Sequence, residues 1–63
     1  MNKAVAKLPE KQRSAIMLRD YEGHDYRSIG DITGMSESQV KVNIFRARKY
    51  IKEYINKLEI MML

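Results

Sequence analysis

The side chains best suited to chemistry in this sequence are cations spaced along its last third. At about 100° per helical residue, several of them fall on one side of a helix together with small polar and apolar residues. Cations neutralise nucleic-acid phosphates, and the guanidinium fork of Arg46 matches the O6 and N7 acceptors of guanine. Val42 or Phe45 would suit a thymine methyl group. The side in question presents Ser38, Val42, Phe45, Arg46 and Lys49, with Lys41 and Lys52 at its flanks.

Positive charge collects in the same region. The chain carries 12 Lys and Arg against 8 Asp and Glu, a net charge of +4. Residues 39–63 hold six cations and two carboxylates, whereas residues 25–38 hold one cation and three carboxylates. This asymmetry is typical of a polyanion binder. A plain solvated helix face is the competing interpretation, and Arg48, nearest the apolar side, is expected to pair with an acidic residue of another helix.

Length and composition exclude several classes of protein. Sixty-three residues make one small domain, with no room for a catalytic cleft inside a large core. There is no cysteine, and His24 alone cannot build a metal site. No paired carboxylates or nucleophile–base pair indicate an enzyme. With no membrane-length apolar run and no secretory signal, a cytoplasmic protein without cofactor or metal is expected.

The positions of the proline and the glycines, which interrupt helices, predict an all-α domain of four helices, at about 2–8, 9–21, 26–33 and 37–60. Asn2 is a candidate N-cap, and Pro9 ends the first helix and suits the first position of the second. Gly23 breaks the chain, and Asp25 is placed to cap the third helix. The expected inward-facing residues are Ala4, Val5, Leu8, Ala15, Ile16, Leu18, Tyr21, Tyr26, Ile29, Ile32, Thr33, Val40, Ile44, Ala47, Ile51, Ile55 and Leu58.

The third and fourth helices have the dimensions of a helix-turn-helix with no wing, in which the long last helix is the recognition helix. Gly34 is expected to take the left-handed conformation that ends the third helix. Gly30 would allow the two helices to approach closely, and Val40 would fill the angle between them. Ser36 and Gln39 form a capping box, which competes with base contact for the Gln39 side chain.

Taken together, these residues resemble region 4 of the bacterial sigma-70 family, most closely its extracytoplasmic-function (ECF) group. The resemblance covers about residues 4–55. It is carried by LPEKQR at 8–13, LRDYEG at 18–23, Tyr26, Ile29, Ile32, GMS at 34–36, Val40, Lys41 and RARK at 46–49.

The resemblance implies a domain that recognises the promoter −35 element, docks on the β-subunit flap of RNA polymerase and is often masked by an anti-sigma factor. Lys41, Val42, Phe45 and Arg46 would occupy the family's positions that meet −35 bases and nearby phosphates. The family often has serine where this chain has Val42 and arginine where it has Asn43. Val42 favours a thymine methyl contact, and Asn43, which removes one positive charge, favours a weaker or shifted phosphate contact.

The expected base contacts are therefore Ser38, Lys41, Val42, Phe45 and Arg46, and the expected phosphate contacts are Arg27, Ser28, Asn43, Lys49 and Lys52. Arg27 and Ser28 stand where the family often has two acidic residues, and the first helical N–H groups near them would help to hold a phosphate.

Two other functions stay open at this point. A stand-alone regulator could dimerise through residues 50–63 and bind a palindromic site. A protein-interaction bundle could present the basic face to an acidic partner. The interpretation that best fits the resemblance is a C-terminal sigma-factor domain, residues 1–63, separate here from its region 2.

Overall fold

The computed structural model describes the backbone of residues 3–62 and the side chains of residues 3–58. The expected Asn2 cap lies outside these residues. The described chain is all helical, as predicted, and it contains no strand. Its helices are α1 (Lys3–Ala6), α2 (Glu10–Ile16, continued by a π-helical turn over Met17–Tyr21), α3 (Tyr26–Thr33) and α4 (Glu37–Met62).

The first two helices are separated by Pro9. α1 ends at Ala6, two residues earlier than expected. The chain then makes a turn in which Leu8 N–H donates to the Val5 carbonyl at 3.1 Å. Pro9 has an extended ψ of 151° and is the N-cap of α2, one position before the place predicted for it. Its carbonyl accepts the first helical bond, from Arg13 N–H at 2.9 Å.

The end of the second helix differs from the expected α-helix. Glu22 N–H donates to the Met17 carbonyl at 3.3 Å, the i→i+5 bond of a π turn. A π turn advances each residue by a smaller angle than an α turn, so residues beyond Met17 leave the face that α-helical spacing gives them. The prediction that Tyr21 is buried is wrong for this reason, since its side chain is 65% exposed. Leu18 remains partly buried against the core.

Both ends of α3 follow the sequence prediction. The Asp25 carboxylate accepts a hydrogen bond from Ser28 N–H at 2.8 Å. Gly34 has φ of 79°, and its N–H donates to the Gly30 carbonyl at 2.8 Å. This left-handed residue closes α3 and turns the chain toward α4.

The predicted capping box of α4 is also present. Ser36 N–H donates to Gln39 Oε1 at 3.0 Å, and Gln39 N–H donates to Ser36 Oγ at 3.2 Å. The reciprocal pair satisfies two N–H groups that a helix start leaves without helical partners. The start of α4 is therefore fixed at Glu37.

The core lies between the first half of α4 and the three shorter helices. Ile29 and Val40 are fully buried where α3 and α4 cross, which confirms that Val40 fills their angle. Tyr26 and Ile51 pack against this core from its edge. The buried cluster is Val5, Leu8, Ala15, Ile16, Ile29, Met35, Val40, Ile44 and Ala47, with Ala4 buried as well.

Three further residues expected in the core are exposed. Ile32 is 58% exposed, because α3 contacts its neighbours along the side of Ile29 and leaves Ile32 at an open groove between α2 and α3. Ile55 and Leu58 are 43% and 44% exposed. α4 has 26 residues, so it is about 39 Å long. Packing against the core reaches Ile51, and beyond it the Lys7 ammonium still lies 5.5 Å from the centre of the half-buried Tyr54 ring. No helix in the described part of the chain is long and apolar enough to cross a membrane.

Gly30 marks the closest approach in the helix-turn-helix. A Cβ atom at this position would lie 2.8 Å from the backbone carbonyl oxygen of Met35, in the turn, and 3.9 Å from Val40 Cγ2. The first contact cannot be relieved by a side-chain rotation, because a backbone atom makes it. The sequence correctly indicated a packing role for Gly30, but the nearest atom belongs to the turn rather than to α4.

We expect Gly30→Ala to lower the free energy of unfolding by about 1–3 kcal/mol, the usual cost of overpacking. This expectation requires that the free-energy cost of the clash exceed the gain of up to ~1 kcal/mol that alanine brings inside a helix. Urea unfolding measures the change, and Asp31→Ala, at the exposed next position of α3, is the control. A Gly30→Ala protein as stable as the wild type would show that the close approach is not a constraint.

The N-cap of α3 predicts a pH effect. The Ser28 backbone N–H, followed by the Ser28 side chain, lowers the pKa of the Asp25 carboxyl by hydrogen bonding. A lowered pKa in the folded state contributes stability above the unfolded-state pKa, and that contribution is lost as the pH falls below about 4. Asp25→Asn keeps a capping oxygen that does not titrate. We therefore expect the urea midpoint of the wild type to fall more between pH 7 and pH 3 than that of Asp25→Asn. Parallel falls would contradict this role.

Candidate nucleic-acid interface

The solvent side of α4 carries the residues that the sequence predicts for DNA contact. Val40, Ile44 and Ala47 hold the opposite side of the helix in the core. Phe45 is 69% exposed, so the prediction that it points away from the core is confirmed. We call this side the recognition face; its residues, all exposed, are Ser38, Lys41, Val42, Phe45, Arg46, Lys49 and Lys52.

Phe45 and Val42 give the recognition face an apolar centre among cations. Val42 is 45% exposed, and the two side chains are one helical turn apart. Complete burial of an exposed valine or phenylalanine side chain is worth roughly 1.5–3 kcal/mol, and a ligand that covers these partly exposed side chains gains a part of that. A ligand that carries both negative charge and apolar edges would use the whole face, and the DNA major groove has both.

A groove of about 550 Å³ borders the recognition face where α3 begins. The Lys41 ammonium lies 5.7 Å from the centre of the Tyr26 ring, and the Arg19 guanidinium carbon lies 5.2 Å from it. Arg19 is held by its own hydrogen bond to the His24 carbonyl at 3.0 Å. A cation–π contact at an exposed site is worth only about 0.5–1 kcal/mol, so Lys41 can leave the ring for a stronger partner. The groove is lined by Tyr26, Lys41, Ile44, Phe45, Arg48, Lys49 and Lys52.

This role of Tyr26 was not found from the sequence, which predicted only a buried aromatic residue. Its three partners come from three separate elements: Arg19 from the π turn, Lys41 from α4, and the core below. Only the folded chain brings these together.

Arg48 is excluded from the recognition face by an ion pair. Its Nη2 lies 2.9 Å from Asp20 Oδ1, and both side chains are about half exposed. The expectation that Arg48 pairs with an acid of another helix is confirmed. The pair joins α4 to the π turn, and it compensates the charge of Arg48 beside the groove.

On the other border of the recognition face, Arg46 and Asn43 behave differently. Among residues 3–58, no hydrogen bond or ion pair engages the Arg46 guanidinium, which is exposed at a shallow groove that includes Ser38 and Val42. Asn43 turns inward: its Nδ2 donates to the Gln39 carbonyl at 2.8 Å and to Met35 Sδ at 3.4 Å. Arg46 thus has all its donors available for a ligand, whereas those of Asn43 are in use.

The start of α3 presents Arg27 exposed and Ser28 half-buried. The Ser28 N–H that was expected to face a phosphate donates to Asp25, and the Ser28 side chain also hydrogen bonds to that carboxyl. A phosphate at this helix end would therefore meet the negatively charged Asp25 carboxylate, whose pKa these hydrogen bonds lower. Arg27 supplies the favourable charge at this position.

No group of three or more potential metal ligands occurs among the described residues. Cations, the Ser38 hydroxyl group and apolar side chains lie along one side of α4.

Comparison with known proteins agrees with this geometry. The family model described as Sigma-70, region 4 matches residues 1–51. The chain is 39% identical over 54 residues to an ECF RNA polymerase sigma-E factor of Haemophilus influenzae, covering 86% of this chain and 29% of the relative. It is 33% identical over 58 residues to an RNA polymerase sigma-H factor of Pseudomonas aeruginosa, covering 92% and 30%. It is 35% identical over 54 residues to an ECF RNA polymerase sigma factor, SigE, of Mycolicibacterium smegmatis, covering 86% and 21%.

The chain thus spans less than a third of the length of these curated relatives. The match runs through the described helix-turn-helix and ends at Ile51, the last residue of α4 that packs against the core. The resemblance deduced from the sequence is confirmed: this chain belongs to the sigma-70 region 4 family.

Proposed function

We propose that this chain recognises the promoter −35 element as the C-terminal domain of an ECF sigma factor, with α4 in the DNA major groove. The observation that carries the proposal is the exposed recognition face, in which Phe45 and Arg46 project from a helix anchored on its other side by Val40 and Ile44. The family assignment supports the same function.

Each residue of the recognition face takes a role that its chemistry allows. Arg46, with its donors unoccupied, bonds to the edge of a guanine. Phe45 and Val42 contact thymine methyl groups, and Val42 makes an apolar contact where a serine would donate a hydrogen bond. Ser38 and Lys41 approach base edges near the start of α4, Lys41 after leaving the Tyr26 ring.

Cations around the recognition face bind the DNA backbone. Lys49 and Lys52 lie toward the end of the face and meet phosphates of one strand, and exposed Arg27 meets a phosphate at the start of α3. Such contacts release counterions and provide affinity that does not depend on sequence. Ser28, predicted as a second contact for the phosphate at α3, donates its N–H to Asp25 instead. Asn43 is predicted as a further phosphate contact, but its amide donors are engaged within the domain.

RNA polymerase is the second proposed partner. The matched relatives are named as RNA polymerase sigma factors. We place the β-subunit flap, and an anti-sigma factor where one exists, on surfaces away from bound DNA. The groove between α2 and α3, about 500 Å³, offers such a surface, since exposed Ile32 lies there beside Leu18 and Met35. These partners imply a bacterial cytoplasmic location.

Selection from a randomised DNA duplex library by the 63-residue chain tests the function. One asymmetric element bound by one protein copy is the expected result. A palindromic site bound by two copies would favour the stand-alone dimeric regulator, and no enrichment over random DNA would favour a protein-interaction bundle.

The first substitution to test is Arg46→Ala. We expect a loss of about 1–3 kcal/mol in binding to the selected duplex and relaxed discrimination at one base pair. Arg46→Lys keeps the charge but not the bidentate fork, so it should relax the same base pair while it retains affinity for random DNA. Titration with duplexes that vary each base pair measures both effects. Equal losses on selected and random DNA would rule out base recognition by Arg46.

Lys49→Ala should weaken binding to every sequence, because a phosphate contact carries no base information. The slope of log affinity against log salt should become less steep by about one. Lys57→Ala is the matched control: it removes the same charge from α4 about 12 Å further along the helix axis. An unchanged slope for Lys49→Ala, or equal changes in both variants, would remove Lys49 from the phosphate contacts.

A further inference from the structure

Asn43 makes a contact that family membership does not assign to it. Its half-buried side chain donates to the Gln39 carbonyl, one turn earlier in α4, and to the sulfur of Met35. Met35 is only 8% exposed and lies in the turn directly after Gly34. The amide therefore connects the first turns of the recognition helix to the turn of the helix-turn-helix.

The donors of Asn43 are fully used by these two contacts. A side-chain amide nitrogen carries two N–H groups, and the two acceptors, a carbonyl oxygen and a weaker thioether sulfur, match them in number. A DNA phosphate could be bound only if one of these bonds were broken. Position also disfavours that exchange, because Asn43 lies on α4 between the recognition face and the side buried in the core.

The residues next to Asn43 are those whose orientation toward the DNA bases matters for the proposed function. Val42 precedes it, and Arg46 lies one turn later on the adjoining side of α4. Gln39, whose carbonyl accepts from Asn43, also closes the capping box with Ser36. A shift of α4 relative to the turn would therefore displace Val42 and Arg46 together from the base edges.

We propose that Asn43 is a positioning residue for DNA recognition: by bonding to Met35 and Gln39 it sets the angle at which α4 leaves the turn, and it does not bind phosphate. This inference rests on the proposed function. It separates two quantities that a phosphate contact would change together, namely discrimination between DNA sequences and affinity for DNA of any sequence.

Asn43→Ala tests the proposal with two probes, the duplex selected by the wild-type chain and a scrambled duplex of the same length. We expect affinity for the selected duplex to fall about three- to tenfold, the size of one net hydrogen bond. Affinity for the scrambled duplex and the salt slope should stay unchanged. Asn56→Ala, on an exposed part of α4, makes the same change in helix propensity and should alter neither probe.

A double-mutant cycle identifies the bond that acts. Met35→Leu removes the sulfur acceptor and keeps the side-chain volume nearly constant. It should reduce discrimination in the same direction as Asn43→Ala, and the double variant should lose no more than Asn43→Ala alone. Fully additive losses would overturn the link between Met35 and Asn43.

Two DNA-binding outcomes would overturn the inference. Equal losses on both probes, with a less steep salt slope, would show that Asn43 binds a phosphate. No change on either probe would show that the contact has no role in recognition. Binding to both duplexes is measured well below the unfolding temperature of each variant, so that a loss of folded protein does not imitate either result.

Failure of the inference can be told apart from failure of the proposed function. Without DNA, the NMR signal of the Met35 methyl group should shift in Asn43→Ala and not in Asn56→Ala. An unshifted signal would refute the contact itself, whatever the chain binds. A shifted signal in a chain that selects no DNA sequence would overturn promoter recognition, and with it the role of Asn43 in recognition, while the contact would stand.

Discussion

The angle between α3 and α4 is the constraint on which the rest of the molecule depends. It is set within a few residues: Gly34 reverses the chain with φ of 79°, and Gly30 lets the Met35 carbonyl lie against α3, where a Cβ atom on residue 30 would clash with the carbonyl oxygen. Val40 is then fully buried in the space between the helices. Each of these features limits how α4 can leave the turn, and a tilt of α4 would open a cavity at Val40 or press the turn against α3. The direction of the recognition face follows from this packing.

α4 combines two surfaces that have opposite requirements. One side must be apolar and closely packed, because a chain as short as 63 residues has little buried area to stabilise its fold. The other side must leave Phe45 and several cations exposed, which adds nothing to the core and concentrates like charge. The Arg48–Asp20 pair and the cation–π contacts of Tyr26 occupy the border between the two surfaces. The ion pair compensates the charge of Arg48, and the Tyr26 ring binds Arg19 and Lys41 at the edge of the recognition face. Arg46 and Lys49 stay available for a polyanion.

The parts of the fold that depend on neighbouring residues were predictable from the sequence. The Asp25 cap, the left-handed Gly34 and the Ser36–Gln39 box each need only a few adjacent residues, and each is present. The two faces of α4 also follow from spacing alone over its first half. In the candidate site, the exposure of the recognition face was predicted, and its binding to bases and phosphates stays a prediction.

The features that were missed depend on contacts between distant segments. Tyr21 was assigned to the core because α-helical spacing was assumed through a π turn. Ile32, Ile55 and Leu58 have the right spacing, but no neighbouring helix covers them. For Asn43, the phosphate contact that the family comparison implies stays a prediction, whereas helical spacing could not predict the hydrogen bond of its amide to Met35, eight residues earlier. Periodicity gives the direction of a side chain, but what lies in that direction is set by the tertiary fold.

NMR titration of the chain with its selected duplex tests most directly whether DNA lies along the recognition face of α4, as we propose. We expect the largest amide shifts at Ser38, Val42, Phe45 and Arg46, with little change at Ile32, Ile55 and Leu58. Shifts centred on the groove between α2 and α3, or on α4 beyond Ile51, would contradict it.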